Sequence, residues 1–405
     1  MEERIEPVKQ GKLKNNITRF RQDKRLAVTG ALYSLALIGM LACVVFGIVR
    51  YHESLRPENL SRLAAYVKAA GTMTDPFTRY DFEAGLNTVY EPFGSGLAVA
   101  SGDTYSFVSG LGDSSYSIQL RYNDPAIRVS EDYVLLYDRN GTGLCVANGY
   151  AEYLNTHTDS PILTASMNQN GDFALVTDQT GYRSAVTVYD SRQRLLCQWL
   201  TSQYYVMAAS VSPDGQHFAA LCLGQNGMEL TTRVLYFDIG KEAPVWTVEL
   251  GERQVYSMTH DKSGGLVIVC DDGVARYLDG QSTGRLDLDR SLRLLSAQEG
   301  GDVLLAFDTG SAGSRGTFIQ VLGDGLSSLW SGSFSGVPRA MDCRGGTVAL
   351  LMADRLESVR YVGETIVRDT LEIAGPRDVA VSPEGDPILF YSDRAEKVLP
   401  DEENE

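Results

Sequence analysis

Residues 207–224 read MAASVSPDGQHFAALCLG, and this stretch decides the fold. One apolar strand pattern precedes the Ser-Pro-Asp-Gly sequence, and a second apolar strand pattern follows it. Pro fixes φ, Asp hydrogen-bonds its own backbone and Gly supplies a positive φ, so these four residues predict a tight hairpin corner. The same outline recurs along the chain, with corners near residues 96, 132, 171, 215, 264, 300, 345 and 385.

The spacing of these corners predicts a β-propeller. Successive corners are 36 to 49 residues apart, and the residues between them alternate with the period of two that strands show. Repeats of this length that contain only strands are typical of propeller blades. Each repeat contains an inner strand, a corner, a second strand, a third strand that ends at Asp, and an outer strand. We predict an all-β propeller of four-stranded blades, with eight blades as the first prediction and seven as the alternative.

The two ends of the repeat region complement each other. After the corner near residue 385 only two short strand patterns remain, so the last blade lacks its outer strand. The stretch FTRYDFEA at residues 77–84 precedes the first corner and is the candidate for the missing strand. Such closure places both ends of the propeller segment in one blade and removes the edges that an open ring would expose.

The charges divide the chain into a basic tail and an acidic remainder. Residues 1–25 hold eight Lys or Arg against four acidic residues, while the rest of the chain holds 28 basic and 48 acidic residues. An acidic surface repels phosphate backbones, which argues against nucleic acid as a partner.

An uncharged run, residues 26–49, follows the basic tail. At about 1.5 Å per residue a helix of this length spans roughly 36 Å, which is enough to cross a membrane. We therefore predict a single-pass signal anchor in the cell membrane. By the positive-inside rule, the tail of residues 1–25 is then cytoplasmic and the propeller extracytoplasmic.

Two alternatives concern this predicted span. Residues 40–43, Met-Leu-Ala-Cys, loosely match a lipoprotein cleavage site, although Leu41 fits it poorly and Cys43 lies inside the apolar run. Gly39, Cys43 and Gly47 form a small-xxx-small face, and packing of this face against a second helix would give a homodimer.

The remaining boundaries follow from local signals. Residues 50–76 form a juxtamembrane linker with a predicted helix at 57–70, because Pro57 suits a first helical position and Gly71 a helix end. The propeller is predicted at residues 77–399, and the acidic residues 400–405 form a solvated tail.

The cysteines predict buried free thiols. Five lie outside the predicted span, and they are widely spaced without any Cys-x-x-Cys pair. An odd number cannot all pair within one chain, and the spacing matches no zinc site. The five residues are Cys145, Cys197, Cys222, Cys270 and Cys343.

No catalytic, cofactor-binding or metal-binding residue is predicted. Residues 280–284, Gly-Gln-Ser-Thr-Gly, match the nucleophile-elbow motif, but that motif needs a following helix and a strand pattern follows here. The four histidines fall in different segments without metal-ligand spacing. Aspartates of residues 271–272 and 287–289 lack the remaining oxygen ligands of a calcium loop.

Binding residues are predicted on one face of the ring. Tyr204, Tyr205 and Tyr256 precede or open inner strands, where exposed aromatic rings can form a binding surface, although core packing explains them equally well. His260 ends an inner strand and is placed near the mouth of the channel.

The strand-ending Tyr-Asp, Phe-Asp and Leu-Asp pairs resemble those of WD-repeat and quinoprotein-like propellers, although the Gly-His and Trp-Asp pairs of true WD repeats are missing. The whole arrangement resembles an uncharacterised family of membrane-anchored propeller proteins of Gram-positive anaerobic bacteria. That resemblance implies an architecture and a location, but no activity.

Three functional hypotheses follow. The first is a non-enzymatic scaffold that binds an envelope protein or a surface polymer on its ring face. The second is a hydrolase or a quinone-cofactor enzyme whose channel gathers His or carboxylate side chains from several blades. The third is a sensor that passes ligand binding through the helix at 57–70 to the basic tail, which contains no domain able to transmit a signal unaided.

Overall fold

The computed structural model describes residues 34–45, 59, 62–64, 79–82, 87–109, 114–309, 316–361 and 366–398. The chain divides into two units, Met1–Leu60 and Ser61–Glu405. In the first unit residues 34–45 are helical. Within the described residues, no helix is both long enough and apolar enough to cross a membrane. Both ends of the predicted span at 26–49 lie outside the described residues, so the span stays a prediction.

The predicted linking helix at 57–70 is described only in part. Residue 59 of the first unit and residues 62–64 of the second are helical. In the second unit the guanidinium of Arg62 lies 4.8 Å from the ring centroid of Tyr116, a cation–π contact with the first blade.

Each blade is an antiparallel four-stranded sheet, made of four consecutive strands in blades 1 to 7 and of the last three strands together with the first in blade 8. Blade 1 comprises β2 (Val89–Phe93), β3 (Gly96–Ala100), β4 (Thr104–Val108) and β5 (Ser114–Gln119), and blade 2 comprises β6 (Pro125–Val129), β7 (Val134–Asp138), β8 (Gly143–Ala147) and β9 (Glu152–His157). Blade 3 comprises β10 (Ile162–Met167), β11 (Phe173–Thr177), β12 (Ser184–Tyr189) and β13 (Leu195–Thr201). Blade 4 comprises β14 (Tyr205–Val211), β15 (His217–Asn226), β16 (Glu229–Asp238) and β17 (Trp246–Gly251).

Blades 5 to 8 complete the ring. Blade 5 comprises β18 (Val255–His260), β19 (Leu266–Cys270), β20 (Gly273–Leu278) and β21 (Gln281–Asp287), and blade 6 comprises β22 (Leu292–Ala297), β23 (Val303–Asp308), β24 (Gly316–Leu322) and β25 (Ser328–Ser335). Blade 7 comprises β26 (Ala340–Arg344), β27 (Thr347–Leu351), β28 (Arg355–Arg360) and β29 (Val367–Glu372). Blade 8 comprises β30 (Asp378–Val381), β31 (Pro387–Phe390), β32 (Arg394–Lys397) and β1 (Arg79–Asp81). A short 3-10 turn, Asp324–Leu326, precedes β25.

The prediction of eight blades is confirmed, and so is the closing strand. β1 pairs antiparallel with β32, with Tyr80 opposite Ala395, and supplies the outer strand that blade 8 lacks. Tyr90 of blade 1 stacks on Phe390 of blade 8 with ring centroids 3.8 Å apart. The inner strands contact one another in a closed cycle from β2 to β30 and back to β2. Eight core clusters of buried side chains each lie between two neighbouring blades, so apolar burial holds the ring together.

The Ser-Pro-Asp-Gly corner has the predicted role. It joins β14 to β15, and Gly215 takes a φ of 65°, a left-handed conformation that glycine adopts without a steric penalty. The corner predicted near residue 96 is displaced by two residues, because the positive φ of 53° belongs to Gly94 while Gly96 already begins β3.

Candidate functional site

Four neighbouring blades share an irregularity at the start of their inner strands. The pairing register shifts across Leu163 in β10, Met207 in β14, Tyr256 in β18 and Arg293 in β22. A β-bulge leaves one residue outside the ladder and re-aims its side chain, and bulges often lie next to functional sites. The bulged residues occupy equivalent positions, so they lie at the same end of the ring.

We call this end of the propeller, where the inner strands begin and the second and third strands connect, the upper face. On blades 3 to 5 it exposes large apolar side chains. Tyr205 is 53% exposed and Met207 is 56% exposed, although both belong to an inner strand. Single exposed apolar residues are ordinary, whereas a group of them marks a contact surface. The exposed apolar residues of this group are Leu163, Tyr182, Tyr205, Met207, Met228, Leu230 and Tyr256.

A projecting hairpin borders this apolar group. β15 and β16 have ten residues each, and residues 224–226 pair with 229–231 beyond the last residue that pairs with β14. Three further residue pairs extend a hairpin by about 10 Å. Met228 at its tip is fully exposed. Blade 4 thus raises apolar side chains above the rest of the upper face.

Tyr204 supports the root of this hairpin. Arg233 of β16 donates from Nη1 to the Tyr204 hydroxyl over 3.0 Å, and its guanidinium lies 5.1 Å from the Tyr204 ring centroid. A Cβ on Gly224 would lie 3.1 Å from Cδ1 of Tyr204, so the ring packs closely against the hairpin backbone. Tyr204 therefore positions the hairpin, and its ring is half-buried.

The predicted ring-face residues take different positions. Tyr205 and Tyr256 are exposed on the upper face, and Arg183 holds the Tyr205 ring with its guanidinium 5.0 Å from the centroid. His260 is only 1% exposed and lies in the core rather than at the channel mouth. Only Tyr205 and Tyr256 therefore lie where a partner would contact them, and their role in binding stays a prediction.

His260 belongs to a buried polar cluster. Its Nδ1 lies 2.7 Å from Oγ of Ser210, and its backbone N–H donates to Oε2 of Glu299 over 2.9 Å. Burial lowers the pKa of His260 to about 4, so the ring is neutral near pH 7. Ser210 also donates to the Glu299 carboxylate. The serine stands between the histidine and the carboxylate and is fully buried, so the cluster differs from a hydrolase triad, in which the histidine is central.

The inner strands surround a channel cavity of about 830 Å³. Gln169 of blade 3 donates from Nε2 to the carbonyl oxygen of Gly300 in blade 6 over 2.9 Å, which joins non-neighbouring blades at the corner end of the channel. At the other end the cavity reaches Tyr256 of the upper face. Its volume lies in the range of small-molecule sites. Sequence reasoning missed this cavity, because its lining comes one or two residues at a time from separate blades.

Two cavity carboxyls have strongly raised pKa values. Burial raises the pKa of Glu91 to about 7, with Asp342 adding to the effect while Arg128 and Arg344 oppose it. Burial likewise raises the pKa of Glu299 to about 7, although hydrogen bonds from Ser210 and from the His260 backbone oppose the shift. Both carboxyls thus exchange protons near neutral pH.

Three cations line the same cavity: Arg128, Lys262 and Arg344. Among the described residues none of the three forms an ion pair with a carboxylate. Arg128 donates to the adjacent carbonyl of Ile127 over 2.8 Å, and Arg344 donates to the carbonyl of Pro92 over 3.4 Å. Other arginines of the propeller form ion pairs with carboxylates, as in the buried pair in which Nε of Arg276 lies 2.5 Å from Oδ2 of Asp261.

The other motifs take structural positions. Ser282 lies in β21 opposite Tyr277, so residues 280–284 form a hairpin and a strand without a following helix. In the described part of the chain, no group of three or more His, Cys, Asp or Glu side chains could hold a metal ion. The five propeller cysteines are unpaired; Cys197 is half-buried and Cys145, Cys222, Cys270 and Cys343 are buried.

Eight four-stranded blades closed around a channel define the class of protein as a β-propeller. The chain belongs to DUF5711, a family of unknown function whose model matches residues 76–371. No curated protein matches the sequence.

Solved propellers resemble the chain at the level of fold. BamB from Moraxella catarrhalis is 14% identical, with a TM-score of 0.50, over 80% of this chain and 98% of that one. The C-terminal WD40 domain of Sif2 is 11% identical, with a TM-score of 0.55, over 81% of this chain and 98% of that one.

Proposed function

We propose that the protein is a non-enzymatic scaffold at the cell envelope that binds a protein partner on the upper face of blades 3 to 5. The observation that carries this proposal is the exposure of Tyr205, Met207 and Tyr256 on neighbouring inner strands. Exposure of apolar side chains to water is unfavourable, and covering them with a partner stabilises the complex by about 25 cal/mol per Å² of apolar area.

The character of the surface favours a protein over a polymer. Methionine side chains adapt to irregular apolar partners, and Met207 and Met228 border the same group. Tyr205 beneath Arg183 offers an aromatic ring and a cation together, a combination common at the centres of protein interfaces. A polar surface polymer would leave the apolar groups of the upper face without matching contacts.

The tether belongs to the same proposal. The apolar run at residues 26–49 would anchor the protein in the cell membrane, and the basic tail at 1–25 would keep the propeller outside the cytoplasm. The chain enters the propeller at β1, the outermost strand of blade 8, which stands opposite blade 4 in a ring of eight.

Site-specific photo-crosslinking in cells tests the scaffold. A photoreactive residue replaces Met207 or Met228 on the upper face, and a matched control replaces Leu195, which is 60% exposed on an outer strand. We expect both upper-face positions to crosslink the same partner, and Met207→Glu to abolish that crosslink from position 228 without lowering Tm. Equal crosslinking from Leu195, or a crosslink that survives Met207→Glu, would refute the proposal.

An acid–base enzyme in the channel is the second candidate. Glu91 and Glu299 line one cavity and have pKa values near 7, the range suited to general acids and bases. Neither carboxyl contributes to the pKa shift of the other, so they are not a closely coupled pair. Hydrolysis of a substrate panel that both Glu91→Gln and Glu299→Gln abolish, while Met207→Glu leaves it intact, would favour the enzyme over the scaffold.

A further inference from the structure

The channel cavity combines unpaired cations with a carboxyl that stays partly protonated. Arg128 of blade 2 and Arg344 of blade 7 line the same cavity as Glu91 of blade 1, and both lower the pKa of its carboxyl. Arg344 reaches blade 1 directly through its bond to the carbonyl of Pro92. Guanidinium groups present several N–H donors in one plane, and carboxylate or phosphate oxygens match that geometry.

We propose that the channel cavity binds the anionic group of a small molecule between Arg128 and Arg344, with protonated Glu91 as a third donor. The volume of about 830 Å³ exceeds what the anionic group alone requires, so the rest of the ligand extends along the channel. The charged residues of this site come from blades 1, 2 and 7, whereas the proposed upper-face interface lies on blades 3 to 5.

The position of Glu91 links binding to protons. Glu91 is half-buried in the cavity wall, and the effect of burial outweighs that of the two arginines, so the pKa of its carboxyl is about 7. A negative charge beside it disfavours the ionised carboxylate further, so anion binding takes up a proton. Affinity therefore falls as pH rises through 7. The other groups that face Glu91 are Asp342 and Asp378, whose pKa values burial also raises.

Isothermal titration of the full-length protein in detergent with sulfate or oxalate tests the site. Both probes keep a constant charge between pH 6 and pH 8, and chloride holds the ionic strength constant. We expect the affinity to fall about tenfold between pH 6 and pH 8, because the unliganded protein loses over this range the one proton, with a pKa near 7, that anion binding requires. Sulfate alone would indicate a tetrahedral anion, and oxalate alone a carboxylate.

Variants separate the site from general charge effects. Replacing both Arg128 and Arg344 by Gln should weaken binding by about tenfold or more, since charge-assisted hydrogen bonds are lost. Arg192→Gln removes the same type of charge from an exposed hairpin of blade 3 and should leave affinity unchanged. Glu91→Gln should remove more of the pH dependence than Glu299→Gln does, because Glu299 is the other cavity carboxyl with a pKa near 7, and the Tm of each variant reports whether it is folded.

The outcomes are distinct. Failure of the unmodified protein to bind either anion at pH 6, or equal weakening by Arg192→Gln, would overturn the anion site. Binding that is lost with Arg128 and Arg344 but does not change with pH would overturn the role of Glu91. Neither result affects the photo-crosslinking test of the upper face.

Discussion

Replacing Asp261 by Asn should destabilise the propeller far more than removing a surface carboxylate. Asp261 and Arg276 are buried in blade 5, with Arg276 Nε and Asp261 Oδ2 2.5 Å apart. Asp261 also accepts from the backbone N–H of Gly265 over 2.7 Å and of Gly325 in blade 6 over 3.3 Å. The substitution leaves the Arg276 guanidinium buried without its counter-charge.

The expected magnitude follows from that uncompensated charge. Breaking a buried ion pair by removing one partner costs about 3–5 kcal/mol. A propeller of this size unfolds with an entropy of about 0.7 kcal/mol/K, so Tm should fall by about 4–7 °C. Although burial raises the pKa of Asp261, hydrogen bonds from Arg276 and Gly265 lower it below its ordinary value. Its contribution to stability is thus present above the unfolded pKa and is lost as pH falls through the folded pKa.

Calorimetric scans of three variants measure the effect. Asp287→Asn is the matched control, because Asp287 pairs with Arg285 at 2.5 Å but is 79% exposed, and its loss should cost less than about 1 kcal/mol. The double variant with Asp261→Asn and Arg276→Met should recover part of the loss, since no charge stays buried. If Asp261→Asn and Asp287→Asn lower Tm equally, the buried pair does not act as described.

Three further predictions concern the corners, the cavity carboxyls and the thiols. Gly215→Ala places a Cβ at a φ of 65° and should lower the free energy of unfolding by about 1–2 kcal/mol. Gly284→Ala is the control, because its Cβ would meet only ordinary contacts, and thermal melts compare the two variants. Between pH 4.5 and about 7, Glu91 and Glu299 keep their protons in the native state but lose them in the unfolded state. The free energy of unfolding should therefore fall across that window by up to about 3 kcal/mol for each residue. The double Gln variant should show a flatter profile of Tm against pH. Burial raises the pKa of Cys222 to about 12 and of Cys270 to about 11. Among the propeller cysteines, iodoacetamide at pH 8 should therefore modify half-buried Cys197 first and reach those two only after unfolding, as mass spectrometry would show.

The blade repeat could be predicted because its determinants are local. A corner needs a residue that tolerates positive φ within four positions, and Gly171, Gly215, Gly264 and Gly385 all show it in the structure. The closing strand at Arg79–Asp81 could be predicted because the last blade visibly lacked an outer strand. Both features follow from a short window of sequence and a count of strands.

The orientation of the inner-strand side chains could not be predicted, because the alternation is interrupted. In a regular strand Tyr256, Met258 and His260 share one face. The bulge at Tyr256 shifts the parity, so Tyr256 is exposed while Met258 and His260 are buried. A pattern of apolar and polar residues does not reveal which residue leaves the ladder.

The channel residues escape sequence reasoning for a different reason. Arg128 and Arg344 are 216 positions apart, and nothing near either residue marks it as part of a site. The signal that could have identified them is their position in the repeat rather than any motif. Inner strands are mostly apolar, yet charged residues stand within or at the end of three of them: Glu91, Arg128 and Arg344. Aligning the eight repeats on their corners would bring these charges to one end of the ring.

The closure of the ring explains why a surface as apolar as the upper face can be maintained. Each inner strand pairs with the second strand of its blade on one side and faces the channel on the other, while β1 supplies the outermost strand of blade 8. The inner strands contact one another around the whole ring, so the apolar side chains at their starts are presented by one closed frame. Blade 8, which holds both ends of the propeller, depends on the three residue pairs between β1 and β32. Deleting Arg79–Asp81 should consequently expose β32 as an edge and promote self-association, whereas the interior of blade 4 should keep its pairing.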